Sequence, residues 1–207
     1  MKAYNEYCPI AHALDLVGDR WALLVVRELN HGPLRYSDLR ERLPRCSTNV
    51  LATRLKDLES GGVVARRRLP PPAASNVYEL TEAGEGLQPV LAALARWGAQ
   101  TLGPPPADAE LHVGWLERAL RTAVVASAPT ARVAFEIGEE RASLIDGVVS
   151  AGSSEEAEAI VTGTPAGFYA LVVLGETSDL DVTGDAGAVA SLAEALQLAR
   201  TSQATVA

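Results

Sequence analysis

Between Arg35 and Arg68 stand nine of the chain's 18 Lys and Arg residues against four carboxylates, a stretch of net charge +5 in a chain of net charge −8. Such a density of cations suits a polyanion, and duplex DNA above all, because each phosphate neutralised releases condensed counterions. Within the stretch, Asn49, Thr53 and Lys56 follow one another at steps of four and three, which places them on one face of a helix. Asn can pair bidentately with adenine, and Thr can donate, accept or pack on a thymine methyl. Asn49 and Thr53 are therefore expected at base edges in a major groove, with Lys56 next. Ser47, Thr48 and Arg54 are expected at phosphates, partly because a helix N-terminus itself favours anions. Arg66, Arg67 and Arg68 are consecutive on an extended segment, so alternation sends Arg66 and Arg68 to one face and Arg67 to the other. Arg35, Ser37 and Arg45 complete the expected DNA-binding set. The same residues have a plainer reading as a solvated helix face, with Arg54 in an internal ion pair and an arginine-rich edge strand that discourages aggregation.

Other chemistry finds no support in the residue pattern. Serine elbow, phosphate loop, histidine–carboxylate cluster and dinucleotide glycine pattern are all missing, so no catalytic residue and no cofactor are expected. His12, His31 and His112 are dispersed. Cys8 and Cys46 have no metal spacing and read as free thiols. Glu139 and Glu140 fall in an expected hairpin turn, where solvated charge is the default.

Local patterns supply the elements that would hold these side chains. Ile10–Val17 and Trp21–Leu29 read as helices around Gly18-Asp19-Arg20, and Asn30-His31-Gly32-Pro33 stops the second. Ser37–Leu43 is a short helix ended by Pro44. Ser47 can cap a helix over Thr48–Ser60, with Leu51, Leu55 and Leu58 toward the core and Gly61-Gly62 at its end. Val63–Leu69 and Asn76–Leu80 read as paired strands. Thr81 is expected to cap one long helix to about residue 102, with Leu87, Val90, Leu91, Leu94 and Trp97 in one stripe, long enough to need a partner helix. Three prolines after Gly103 break the chain, and the expected domains are 1–103 and 104–207. Beyond the break the reading is α+β. It comprises a helix over Ala109–Ala126, strands at Ala131–Ile137, Arg141–Ile145, Val148–Val149, Ala157–Val161 and Leu180–Thr183, and helices near Ala166–Leu174 and Ala186–Ala199.

Charge divides unevenly between these halves: residues 1–103 carry +2 and residues 104–207 carry −10. Such asymmetry suggests modules with different partners, an aid to solubility being the plain alternative. The longest apolar runs, Trp21–Val26 and Phe168–Leu174, are too short for a bilayer span, and the N-terminus reads as no secretion signal. A cytoplasmic protein without membrane association is expected.

The first half resembles the HxlR-type winged helix-turn-helix regulators. The resemblance rests on Cys8-Pro9, Leu16-Val17-Gly18-Asp19-Arg20-Trp21, Leu23-Leu24, Arg27-Glu28-Leu29, Gly32-Pro33, Tyr36, Asp38-Leu39, Leu43-Pro44, Ser47, Val50-Leu51, Arg54-Leu55 and Leu58-Glu59. It continues through Tyr78-Glu79-Leu80-Thr81, Gly84 and Trp97-Gly98, and so covers about residues 7–100. It implies a winged-helix homodimer that binds operator DNA and controls transcription. Asn49 and Thr53 stand where that family often has a basic or amide side chain, so the operator sequence does not carry over. Cys46 stands where the family is usually aliphatic. Some members sense oxidants through a cysteine near the N-terminus, which corresponds to Cys8 here.

The second half is similar to sterol carrier protein-type domains in its helix–strand order and in Val182-Thr183-Gly184-Asp185 leading into Ala188–Leu198. That likeness implies an apolar tunnel. Trp115, Phe135, Ile145, Phe168, Leu171 and Leu174 are its candidate ligand-binding lining, and all but Trp115 serve equally well as ordinary core. His112 could contact a ligand or stand exposed. The combined expectation is a homodimeric repressor whose operator binding responds to an apolar or amphipathic small molecule. A regulator gated by oxidation of Cys8, and a lipid or metabolite carrier using the first half only to dimerise, are the alternatives.

Overall fold

The computed structural model describes residues 3–198 apart from 73, 107, 108, 110, 112, 113 and 128; His112 lies outside the described residues. The chain divides into two compact units, Met1–Val90 and Leu91–Ala207, a division that falls inside a helix rather than at Gly103.

In the first unit, α1 (Pro9–Val17), α2 (Ala22–Leu29), α3 (Tyr36–Arg42) and α4 (Thr48–Ser60) precede a hairpin of β1 (Val64–Arg68) and β2 (Asn76–Leu80). Leu51, Leu55 and Leu58 of α4 are at most 1% exposed, among Val25, Val26, Leu29, Leu39 and Leu43 of the buried core. Each such leucine removed from water contributes about 1.5–3 kcal/mol, enough to fix which side of α4 looks inward. The hairpin is antiparallel with Arg66 opposite Tyr78, Arg67 opposite Val77 and Arg68 opposite Asn76. Leu34 bonds Tyr78 through both backbone groups, at 3.0 and 2.8 Å, and so ties the hairpin to the segment before α3.

The long helix expected from Thr81 is broken. A four-residue helix α5 (Glu82–Glu85) is followed by Gly86-Leu87 and then by α6 (Gln88–Leu102). Pro89 has no N–H to return to the preceding turn, which explains the interruption. Thr81 caps α5, its hydroxyl accepting from Gly84 N–H at 3.1 Å and donating to the Gly62 carbonyl at 2.6 Å. A Cβ at Gly84 would lie 2.2 Å from the Val63 carbonyl oxygen, so only glycine allows this approach.

The second unit pairs helices with a five-stranded sheet, so the chain as a whole is α+β. Helix α7 (Trp115–Ser127) leads into β3 (Arg132–Ile137), β4 (Glu140–Ile145), β5 (Val148–Ala151) and β6 (Ala159–Gly163). There follow α8 (Pro165–Tyr169), continued by a wider π-helical turn at Ala170–Leu174, then β7 (Leu180–Gly184) and α9 (Ala186–Leu196). Strand order is β5-β4-β3-β6-β7, with β3 and β6 parallel and the other neighbours antiparallel. Val133, Phe135, Ile137, Leu144 and Val161 cover one sheet face and pack with Leu116 and Leu120 of α7 and Val189, Leu192 and Leu196 of α9.

Two expectations for this unit change. Helix α7 starts at Trp115, with Ala109 and Leu111 outside it. Glu140 is not a solvated turn residue: its carboxylate accepts from Gly114 N–H and from Leu116 N–H at 3.0 Å. It therefore caps α7 from a neighbouring strand, where the helix dipole favours negative charge. Replacing Glu140 by Ala should lower the unfolding free energy of this unit by about 1–2 kcal/mol in urea titration. A midpoint equal to the parent's would show that the cap contributes nothing.

Candidate nucleic-acid interface

The α3–turn–α4 geometry arises from a few short-range bonds. Tyr36 Oη on α3 donates to the Thr48 carbonyl at 2.9 Å, joining the start of α3 to the first turn of α4. Ser47 caps α4, its Oγ accepting from Val50 N–H at 3.4 Å, and leaves the hydroxyl proton for another partner. Cys46, directly before it, is fully buried and packs as the aliphatic residue expected there would. Burial pushes its thiol upward, while Arg40 and Arg54 pull the other way. A raised, buried thiol is a poor nucleophile.

With the leucines inward, Ser47, Thr48, Asn49, Thr53 and Lys56 are exposed on the opposite side of α4. Asn49 and Lys56 make no side-chain bond among the described residues. Thr53 Oγ1 donates to the Asn49 carbonyl at 2.8 Å, so its hydroxyl oxygen and methyl, not its proton, face outward. Arg35, Ser37 and Arg45 are exposed on α3 and the turn. Arg66 and Arg68 share one face of β1 with Tyr78, and Arg67 takes the other, as alternation required.

Not all nine cations remain for a ligand. Arg54, only 17% exposed at its side chain, is bound to Asp19 and, at 3.1 Å, to Asp57. It thus forms the internal ion pair that stood as the alternative to a phosphate contact. Arg67 forms a two-pronged bond to Glu79, Nε to Oε1 and Nη2 to Oε2 at 2.8 Å each. That bond raises the Arg67 guanidinium above its usual value and holds the Glu79 carboxyl below its own. A depressed carboxyl stays ionised as pH falls past the ordinary carboxylate range, so the pair is intact at neutral pH and opens only in acid. Arg42 lies 3.8 Å from buried Glu28, and Arg40 is half-buried. Arg35, Arg45, Lys56, Arg66 and Arg68 have no carboxylate partner among the described residues. These five are the charges a phosphate backbone can use.

Sequence reading left Arg54 an internal ion pair as the plainer alternative without naming Asp19, which lies 35 residues away, and it missed the pair of Arg67 with Glu79, 12 residues apart. The second pairing becomes visible once the strand register places Arg67 diagonally opposite Glu79.

In the second unit four of the six candidate lining residues, Trp115, Phe135, Phe168 and Leu171, share one core, and Ile145 and Leu174 stand apart from it. Phe135, Phe168 and Leu171 are buried core, and Phe168 meets both Trp115 (5.7 Å) and Phe135 (5.8 Å) edge to face. Ile145 is paired with Arg132 and so projects from the opposite sheet face, and Leu174 is exposed at the end of the π-helical turn. Cys8 stands half-buried immediately before α1, where its side chain makes no capping bond. No helix among the described residues is long and apolar enough to cross a membrane, and no cluster of metal-ligating side chains occurs among them.

Comparison with known proteins agrees with the first unit. A family model described as HxlR-like helix-turn-helix matches residues 16–105. An HTH-type transcriptional regulator of Synechocystis sp. is 38% identical over 110 residues, spanning 53% of this chain and 82% of that protein. The HTH-type transcriptional regulator YodB of Bacillus subtilis is 38% identical over 101 residues, 48% of this chain and 90% of that protein. The solved reduced form of YodB aligns with 46% of this chain and 95% of its own at 37% identity and a TM-score of 0.42.

Uncommitted and committed arginines should behave differently on DNA. Replacing Arg66 by Ala should reduce the slope of log affinity against log salt by about 0.9 per site, whereas Arg67→Ala should leave it nearly unchanged. Equal slope losses in a fluorescence titration of a random-sequence duplex would show that Glu79 releases Arg67 to the phosphate backbone.

Proposed function

The chain belongs to the HxlR-like helix-turn-helix family of transcriptional regulators, and on that premise we propose that it is a homodimeric repressor that inserts α4 of each protomer into successive major grooves. The observation that carries this reading is the outward row Asn49, Thr53 and Lys56 on a helix whose opposite side is locked into the core. Asn49 and Thr53 read base edges. The exposed N-terminus of α4 with Ser47 and Thr48, and the cations Arg35, Arg45, Arg66 and Arg68, hold the phosphates. Ser37, exposed on α3, joins that phosphate set.

Dimerisation is supported by α6. Val90, Leu94 and Trp97, spaced by four and three, are 44, 43 and 72% exposed. An apolar row of this kind on one helix face is suited to a second copy of the same helix. Two-fold symmetry then implies half-sites about 34–36 Å apart, one helical turn of DNA.

The second unit is assigned the signal input. Its support is a core of its own and the −10 charge of residues 104–207, which suits neither groove nor phosphate. An apolar effector would enter by parting Trp115 from Phe168, so quenching or shifting of tryptophan emission is its signature. The second reading of the input is Cys8, favoured by its half-buried position directly before α1, within reach of a small oxidant. Titration with an oxidant in Cys8→Ser and parent protein separates the two.

Selection of duplexes from a random library should return a pseudo-palindrome with half-sites one turn apart. Asn49→Ala should relax one position of each half-site, at a cost of about 1–3 kcal/mol for that base pair, and leave random DNA unaffected. Equal losses on selected and random duplexes would contradict the role given to Asn49. Trp97→Glu should yield monomers in sedimentation and weaken binding to the full site far more than to a half-site; persistence of the dimer would remove α6 from the interface.

A further inference from the structure

We propose that Arg54 is a positioning residue that sets the roll of the recognition helix through Asp19, rather than a phosphate contact. The proposal rests on the DNA-binding reading above and adds to it a component that lies off the DNA-facing row.

Arg54 stands at the middle of α4. At 3.6 residues per turn it lies about 100° round from Thr53, on the seam between the outward row and the leucines. Its guanidinium is drawn sideways to Asp19 in the α1–α2 turn and to Asp57 one turn along α4. Leucine contacts hold α4 against the core, but they are non-directional and tolerate rotation about the helix axis. A guanidinium–carboxylate bond is directional, and here it crosses between elements 35 residues apart.

The turn that presents Asp19 is itself over-determined. Gly18 N–H bonds the Leu14 carbonyl at 2.8 Å, and a Cβ at Gly18 would lie 2.5 Å from that oxygen. Trp21 is left-handed with φ of 80°, a costly backbone for a bulky side chain, and Arg20 lies over its ring at 5.6 Å. Ala22 N–H returns to the Asp19 carbonyl at 3.0 Å, closing the turn at the start of α2. Asp19 is thus fixed at its backbone while its side chain is 55% exposed, a poor place for a carboxylate kept only for stability.

Together with its neighbours, this bond gives α4 three lateral supports. Tyr36 Oη holds the N-terminal end at the Thr48 carbonyl. Asp19 holds the middle at Arg54. Leu16 lies close beside the C-terminal end, near enough that a Cβ at Gly61 would stand 3.0 Å from Leu16 Cδ2. Two of the three come from α1 and the turn that follows it. A small change in the roll of α4 would displace Asn49 and Thr53 from the base edges, so the middle support bears on sequence preference.

The test uses the full-length protein, the duplex selected by the parent, and a random-sequence duplex. A positioning role predicts that Asp19→Asn weakens binding to the selected duplex about tenfold, leaves random DNA unchanged, and keeps the parent's thermal transition. Arg54→Gln should show the same loss with an unchanged salt slope, and the double variant should lose no more than either single one. If Arg54 instead touches phosphate, Asp19→Asn should tighten binding to both duplexes by removing a competing carboxylate. In that case Arg54→Gln should lower the salt slope by about 0.9. Either of those results overturns the proposal. Should Arg54→Gln fail to fold, Asp19→Asn alone decides by the sign of its effect. A parent protein that selects no sequence at all would instead remove the DNA-binding reading itself.

Discussion

Burial of one side of α4 is the constraint from which the interface follows. Leu51, Leu55 and Leu58 occupy three successive turns of the same stripe and are removed from water. Once they are inside, helical geometry leaves Asn49, Thr53 and Lys56 no position except the surface. Burial by itself brings these side chains to the surface. The same burial sets the distance between α4 and the hairpin, because Val63 and Val64 enter the core directly after the helix ends at Gly61. Polar bonds then refine what apolar burial makes possible: Tyr36 to the Thr48 carbonyl, Thr81 to the Gly62 carbonyl, and Arg54 to Asp19.

The charge of this surface is smaller than its composition suggests. Nine basic residues lie between Arg35 and Arg68, yet Arg42, Arg54 and Arg67 are engaged by Glu28, Asp19 with Asp57, and Glu79. Arginine carries out two jobs here. Where its fork meets a fixed carboxylate it braces the scaffold; where it has no carboxylate partner among the described residues it is open to an external anion. The separation follows geometry rather than sequence neighbourhood, since Arg66, Arg67 and Arg68 are consecutive and, among the described residues, only the middle one has a carboxylate within reach.

What the sequence made legible, and what it hid, divides along the range of the interactions involved. Helix α4, its cap at Ser47, the β2 strand and the alternation of the three arginines depend on residues a few positions apart, and each appears as expected. The break between α5 and α6 also had a local cause in Pro89, outweighed in reading by the apolar stripe that continues past it. By contrast, the carboxylate of Glu140 acts on Gly114 and Leu116 across 26 and 24 residues, and no local pattern announces it. The packing of the candidate lining residues was hidden for a related reason. Phe135 and Phe168 are as apolar as a ligand site requires and meet edge to face, and Leu171 is buried in the same core. Ile145 falls on the other sheet face because register, not hydrophobicity, decides its direction.

Hydrogen exchange of the full-length protein with and without its selected duplex tests the central claim most directly. If α4 is the reading element, amides of residues 47–60 and of the hairpin 64–80 should slow on binding, while those of the sheet at 132–163 stay at the parent rate. Slowing confined to the second unit, with residues 47–60 unaffected, would contradict the account.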